Sequence, residues 1–455
     1  MPGVSNWLVR EASLWRTAPS WESRAARDSR VSTWVAALLI IGTIGFNAVL
    51  CFLNTRGIVI TDIRVMMAEV LLIAGTVLAC RNYLTSVHVF LLGSIVLYTV
   101  VLSVIRYADV PALGFDPKIS RDLIIPVVFF LLGVAVGDVR SADRIVAAAT
   151  AILLLFGLYE YFFLESFLKV LDVAGYYVAR GTLEASEWAQ DVSQGLMVSG
   201  MRPADQGRTL LPFLGDHRVS SLFLEPTTLG NFGTLVAMWA AMRSRMEGRL
   251  YLWSALGGVA LIILSDTRFD AYFLVIALTL LFIPHRLTTP AILALPFLTV
   301  AALYLLAASA ERYHGIPMVE GRGVYERLLY SGRVLHAFDV YNWFGVEVSR
   351  AQTFDSGYGY VLSNIGIIGF TMLWVMFISL KGSSRYFYAF RNMVGLYFVT
   401  LLCISSSVFT IKLAAMLWFL LGTLSLAKDQ VLAKSSARRI ARHESRRADL
   451  LWQGS

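Results

Sequence analysis

Charge is what this 455-residue chain has least of: Asp, Glu, Lys and Arg make up 15% of it, against roughly 25% in soluble domains. Hydrophobic residues make up 57% and the mean hydropathy is +0.65, more apolar surface than one soluble core encloses. Soluble enzyme folds are excluded on that ground. Cysteine is nearly absent. Cys51, Cys80 and Cys403 each fall inside an apolar run, so neither a disulfide framework nor a cysteine metal cluster is expected. No Walker loop, dinucleotide fingerprint or His-Glu-x-x-His pattern occurs. No internal repeat points to a transporter built from two halves. No secretory signal is read either, because residues 1–30 are polar with five arginines and the first apolar run is too long for an h-region.

What is present is a series of apolar runs, several exceeding the ~18 residues that mark a membrane-spanning helix. They fall near 31–53, 63–80, 87–105, 122–137, 145–164, 221–242, 250–265, 269–284, 289–309, 356–380, 392–408 and 411–427. The expected fold is therefore an all-α polytopic membrane protein with about twelve transmembrane helices. The net charge of +8 sits largely in the two ends and in short loops, where membrane proteins keep cytoplasmic Lys and Arg, so no nucleic-acid partner is implied. Arg10, Arg16, Arg24, Arg27 and Arg30 put a basic segment, 1–30, in the cytoplasm. Alternation then puts Arg140/Arg144, Arg243/Arg245/Arg249, Lys381/Arg385/Arg391 and the basic tail, 428–455, on the same side. One transmembrane domain, 31–427, is left between them. Its two long loops, about 165–220 and 310–355, fall on the far side, and long ordered loops usually bind or catalyse.

Three groups of residues are costly in or beside a membrane, where a charge costs ~2.5–3.5 kcal/mol on insertion scales. The first runs from His217-Arg218 through Glu225-Pro226 to Gly230-Asn231. As one helix it would put Arg218 and Glu225 on a common face, bend at Pro226 and offer Gly230 for close approach. A kinked helix whose glutamate pairs for packing is the structural alternative. The second is Ser265-Asp266-Thr267-Arg268-Phe269-Asp270, a tight turn placing Arg268 beside an acidic pair; a snorkelling interfacial anchor competes with it. The third comprises Arg322, Arg327, Arg333 and Arg350 in the second long loop. Asp355-Ser356-Gly357-Tyr358 follows, and then Gly366 and Gly369, which would thin one helix face. Arginine grips phosphate oxygens with two parallel hydrogen bonds, so arginines converging from outer loops suit an anionic ligand such as a lipid diphosphate. Anionic headgroups meeting these arginines are the generic alternative. Glu160 divides evenly between packing and function, and His217, His314 and His336 lie in the outer loops without metal-ligand spacing.

At these three groups the chain resembles the Wzy-type polysaccharide polymerase and O-antigen ligase superfamily, best over about residues 210–375. The likeness rests on Arg218…Phe223-Leu-Glu225-Pro226…Gly230, on Ser265-x-x-Arg268, on Ser331-Gly332-Arg333 and on the stretch from Asp355 to Gly369. It implies a metal- and cofactor-independent, GT-C-like glycosyltransferase at the outer face of a bacterial inner membrane. Such enzymes move a glycan from undecaprenyl diphosphate to a sugar hydroxyl with inversion. Partners implied are the lipid-linked oligosaccharide, the growing polysaccharide, membrane lipids, a chain-length-determining co-polymerase and a flippase. Arg218 and Arg268 match family arginines thought to hold the diphosphate, with Arg322, Arg327, Arg333, His217 and Tyr358 as substrate-binding candidates. The ligases' His-Asn pair is replaced by Asp355-Ser356-Gly357-Tyr358, which favours polymerase over ligase. The base stays open among Asp355, Glu225 and His217, with a reaction that needs none as the further alternative. Outside the enzymes, a flippase of lipid-linked sugars and a membrane scaffold are the competing readings.

Overall fold

A computed structural model describes residues 31–109, 117–181, 196, 200–202, 208–314, 323–346 and 356–427. Both basic ends, and Arg322, Arg350 and Asp355, lie outside the described residues. Within them the regular structure is helical, apart from one isolated bridge between Met201 and His217. The order is α1 (Thr33–Thr55), α2 (Asp62–Ala79), α3 (Ser86–Asp109), α4 (Pro117–Val136), α5 (Val139–Phe162), α6 (Leu164–Val170) and α7 (Val173–Ala179). After these come α8 (Pro226–Glu247), α9 (Leu252–Ser265), α10 (Arg268–Thr279), α11 (His285–His314), α12 (Val324–His336), α13 (Val340–Phe344), α14 (Gly357–Ser379), α15 (Arg385–Leu402) and α16 (Ile411–Ser425).

Helices α1, α3, α4, α5, α11 and α14 are long and apolar enough to cross a membrane, and α9 and α16 are shorter apolar helices. Their lipid-compatible surface is visible in Leu38, Leu71, Phe90, Leu155 and Val275, all exposed. A helix suits such a medium because it satisfies its own backbone groups. The ends are satisfied locally: the Ser32, Asp138, Ser356 and Ser384 side chains accept from first-turn N–H groups of α1, α5, α14 and α15.

Two tight crossings fix the interior. A Cβ on Gly422 of α16 would lie 2.0 Å from the Phe130 carbonyl oxygen of α4, and one on Gly133 would lie 2.1 Å from that of Phe419. Backbones touch there, as small residues permit. Helix α8 packs on α9 and α10, burying Leu229, Phe232, Met238 and Trp239.

The structure corrects the first sequence group. Arg218 to Glu225 is not helical: a short 3-10 turn covers Ser221–Phe223, Leu224 is left-handed at φ 60°, and Glu225 is the extended N-cap of α8. Pro226 therefore occupies the first helical position, where its missing N–H costs nothing, and does not kink a helix. The break expected there occurs in α14 instead, where Gly366 takes φ 65° and ψ 172°. The two long loops also contain helices: α6 and α7 in the first, α12 and α13 in the second.

Candidate functional site: an arginine-lined cavity

The Arg218 segment is held by the carboxylate of Glu160, wholly buried near the C-terminal end of α5. Glu160 accepts from the Ser220 N–H at 3.0 Å, the Ser221 N–H at 2.5 Å and the Ser220 hydroxyl, while His217 Nε2 lies 3.1 Å from Oε1. The Arg218 N–H donates to the Gly200 carbonyl and the Val219 N–H to that of Leu264. These bonds take the segment out of helical geometry and lay it across the end of α9.

The next turn is organised the same way. Asp266 is wholly buried and left-handed at φ 49°. Its carboxylate accepts from Arg202 Nε at 2.6 Å and from the Thr209 and Leu210 N–H groups. Arg208 donates to the carbonyls of His217, Ile263 and Leu264, a purely architectural use of a guanidinium. A Cβ on Gly230 would sit 1.9 Å from Thr267 Oγ1 and 2.7 Å from Asp270 Oδ2, so only glycine lets α8 meet the start of α10 so closely.

Between these elements lies a cavity of about 290 Å³ whose walls include Arg202, Arg218, Arg268, Arg327, Asp266 and Asp270. Arg218 Nε donates to the Ser265 carbonyl at 3.1 Å. Burial, with Arg202 next in weight, lowers the Arg218 guanidinium from its ordinary range to about 9. Arg268 and Arg327 are half-buried, and their guanidinium groups make no ion pair or hydrogen bond among the described residues. Asp270 accepts from the Thr234 hydroxyl at 3.0 Å and has no ion pair there either. Among the described residues, four arginines against two carboxylates leave an excess of positive charge, which suits a ligand with at least two negative charges.

The structure thus brings Arg218, Arg268 and Arg327 together with Asn231, Thr267 and Asp270, which lay in the same sequence groups without an assigned role, and adds Arg202, which lay in none. It separates others. Glu225 and Arg218 do not share a face, and Glu225 is outside the cavity. Its carboxylate is bound by the Tyr177 hydroxyl at 2.8 Å, the Thr228 hydroxyl at 2.8 Å and Lys412 Nζ at 3.3 Å. Tyr358 is wholly buried and donates to the Val399 carbonyl; a ring packed in the core cannot meet substrate. Arg333 lies further along α12, and His217 is engaged with Glu160; neither lines the cavity. Arg322 and Asp355 are outside the described residues. Among the described residues no three His, Cys, Asp or Glu side chains converge as metal ligands.

Comparison of the chain with known protein families, curated proteins and solved structures finds no match.

Proposed function

We propose that the chain is a GT-C-like polysaccharide polymerase joining lipid-diphosphate-linked oligosaccharide repeat units at the outer face of a bacterial inner membrane. One observation carries this reading: among the described residues, four arginines from separate elements surround a cavity lined by two carboxylates. Counting α1–α5, α8–α11 and α14–α16 as crossings gives twelve passes. The cavity then falls on the extracytoplasmic side, opposite the short basic turns.

In this reading the acceptor hydroxyl oxygen bonds to the anomeric carbon of the donor from the face opposite the diphosphate. The carbon–oxygen bond to the diphosphate breaks, and its electron pair leaves with the lipid diphosphate. Arg218, Arg268 and Arg327 meet the charge that develops on those oxygens, as preorganised donors do where transition-state charge grows. The hydroxyl proton passes to Asp270, which makes no ion pair among the described residues. Glu225, outside the cavity, is given a structural part here.

The test is polymer formation from purified lipid-linked repeat units. Arg218→Lys and Arg268→Lys should each lose roughly a hundredfold in rate, because an ammonium cannot reproduce a two-pronged grip. Near-normal polymer from both variants overturns the reading. In cells, a deletion strain should accumulate single lipid-linked repeats. Long polymer left on the carrier would mark a ligase, and repeats trapped on the cytoplasmic leaflet a flippase.

A further inference from the structure

A second cavity, also of about 290 Å³, runs between α3, α4, α14, α15 and α16. Every described residue lining it is apolar except His88 and Asp122. Asp122, in the second turn of α4, lies at the end near the arginine cavity. The stripe from Phe370 to Leu380 on α14 follows the groove over roughly 15 Å of helix rise. The groove reaches the protein surface beside Val87 and Met376, which are 72% and 39% exposed. Helix α3 is fastened to α14 beyond that opening, where the Tyr98 hydroxyl donates to the Ile365 carbonyl at 2.6 Å and Arg106 donates to the Ser363 carbonyl.

The polar end has a charge pattern unlike that of the arginine cavity. Arg121 is paired with both Glu69 and Asp122. Asp122 also accepts from the Tyr360 hydroxyl at 2.8 Å, and Lys118 Nζ lies 5.1 Å from the Tyr360 ring centre. Two cations thus meet two carboxylates. The two cavities stand back to back across one turn: Leu401, Ile404 and Ser405 face the arginines, whereas Leu402, Val408 and Phe409 face the groove. Asn231 Nδ2 donates to Ser407 Oγ at 3.0 Å within that partition.

A diphosphate about to leave needs uncompensated cations, since charge grows on it. A second carrier that must stay attached to its sugar needs a seat that does not stabilise such growth. We propose that the groove seats the acceptor, a lipid-linked saccharide with its hydrocarbon chain along α4 and α14 and its hydroxylated head on Asp122 and Tyr360. This rests on the reading that the arginine cavity holds the donor's diphosphate.

The test uses protein in nanodiscs and two probes. The first is dodecyl glucoside carrying a diazirine at the end of its chain; the second is methanedisulfonate, a dianion for the arginine cavity. Photolabel should fall on α4 and α14 peptides. It should drop roughly tenfold in Tyr360→Phe, the equivalent of one hydrogen bond of ordinary strength, and in the groove-filling Val127→Trp, while methanedisulfonate binding stays normal. Excess phosphatidylglycerol and methanedisulfonate should leave the label in place. Label absent from these helices, or unchanged in both variants, overturns the inference. Displacement by phosphatidylglycerol makes the groove an ordinary lipid seat, and displacement by methanedisulfonate makes the two sites one; either also overturns it. Wild-type protein that fails to bind methanedisulfonate overturns the donor reading and the acceptor assignment with it, a result distinguishable because the groove label itself would persist.

Discussion

At the scale of single residues, the cavity's chemistry is set by how its arginines are desolvated. Arg218 is buried among like charges, which brings its guanidinium down to about 9. Only the protonated form attracts an anion, so its contribution is complete below that value and disappears as pH rises through it. Methanedisulfonate, whose own charge is constant in this range, should bind more weakly between pH 8 and 10, with the step near 9. Titration calorimetry of Arg218→Gln should show weaker binding without that step; a step that survives assigns it to another group. Glu160 acts one shell further out. Glu160→Ala strands the Ser220 and Ser221 N–H groups in the interior, at ~1–3 kcal/mol each. A thermal melt should show a clear loss of stability together with lost anion binding, because the segment carrying Arg218 is released. A stable Glu160→Ala variant with normal anion affinity would remove this positioning role.

At the scale of elements, hydropathy located the helices well because an apolar run in lipid has few alternatives to a helix. It failed where side chains outbid the backbone. Ser220-Ser221-Leu222-Phe223-Leu224 reads as the start of a span, yet Glu160, sixty residues away in sequence, draws these N–H groups outward. No local pattern carries that information. Gly230 was legible as a point of close approach, and the contact with Thr267 and Asp270 bears out that physical reasoning. The Gly133–Gly422 crossing was not singled out, since either glycine alone looks like any other in an apolar helix. Here the backbones of α4 and α16 meet, and both helices also wall the acceptor groove. Gly422→Val should therefore cost about 1–3 kcal/mol or more by overpacking. Its signature is a lower melting temperature in detergent with the arginine cavity still able to bind anion. A Gly422→Val protein as stable as wild type would mean that these helices separate freely.

At the scale of the whole molecule, charge is divided between the ends of the bundle. The ends of α3 and α5, the first halves of α2 and α4 and the starts of α8, α10 and α16 carry Arg106, Glu160, Glu69, Arg121, Glu225, Arg268 and Lys412. At the other end Arg243 is held by Asp143 at 2.8 Å and by Glu247 at 2.5 Å. Arg391 there donates to the Leu380 carbonyl, so these cations brace the fold and form no open site. The sequence made the convergence of Arg218, Arg268 and Arg327 legible through residue type and loop placement. It could not show that Glu225 turns away toward Lys412, because α8 begins five residues later than the apolar run. Sidedness decides whether the arginine end can meet a lipid-linked sugar outside the cell. The turn after α1 lies at the arginine end and the turn after α8 at the other, and Ile58 and Leu250 in those turns are 49% and 82% exposed. The native cysteines Cys51, Cys80 and Cys403 are all buried, so an introduced thiol dominates labelling. Ile58→Cys should react with an impermeant maleimide in intact spheroplasts, and Leu250→Cys only after the membrane is opened. The reverse pattern would turn the arginine cavity toward the cytoplasm, where sugar-nucleotide donors rather than exported lipid-linked repeats are the available substrates, and the polymerase reading would fall with it.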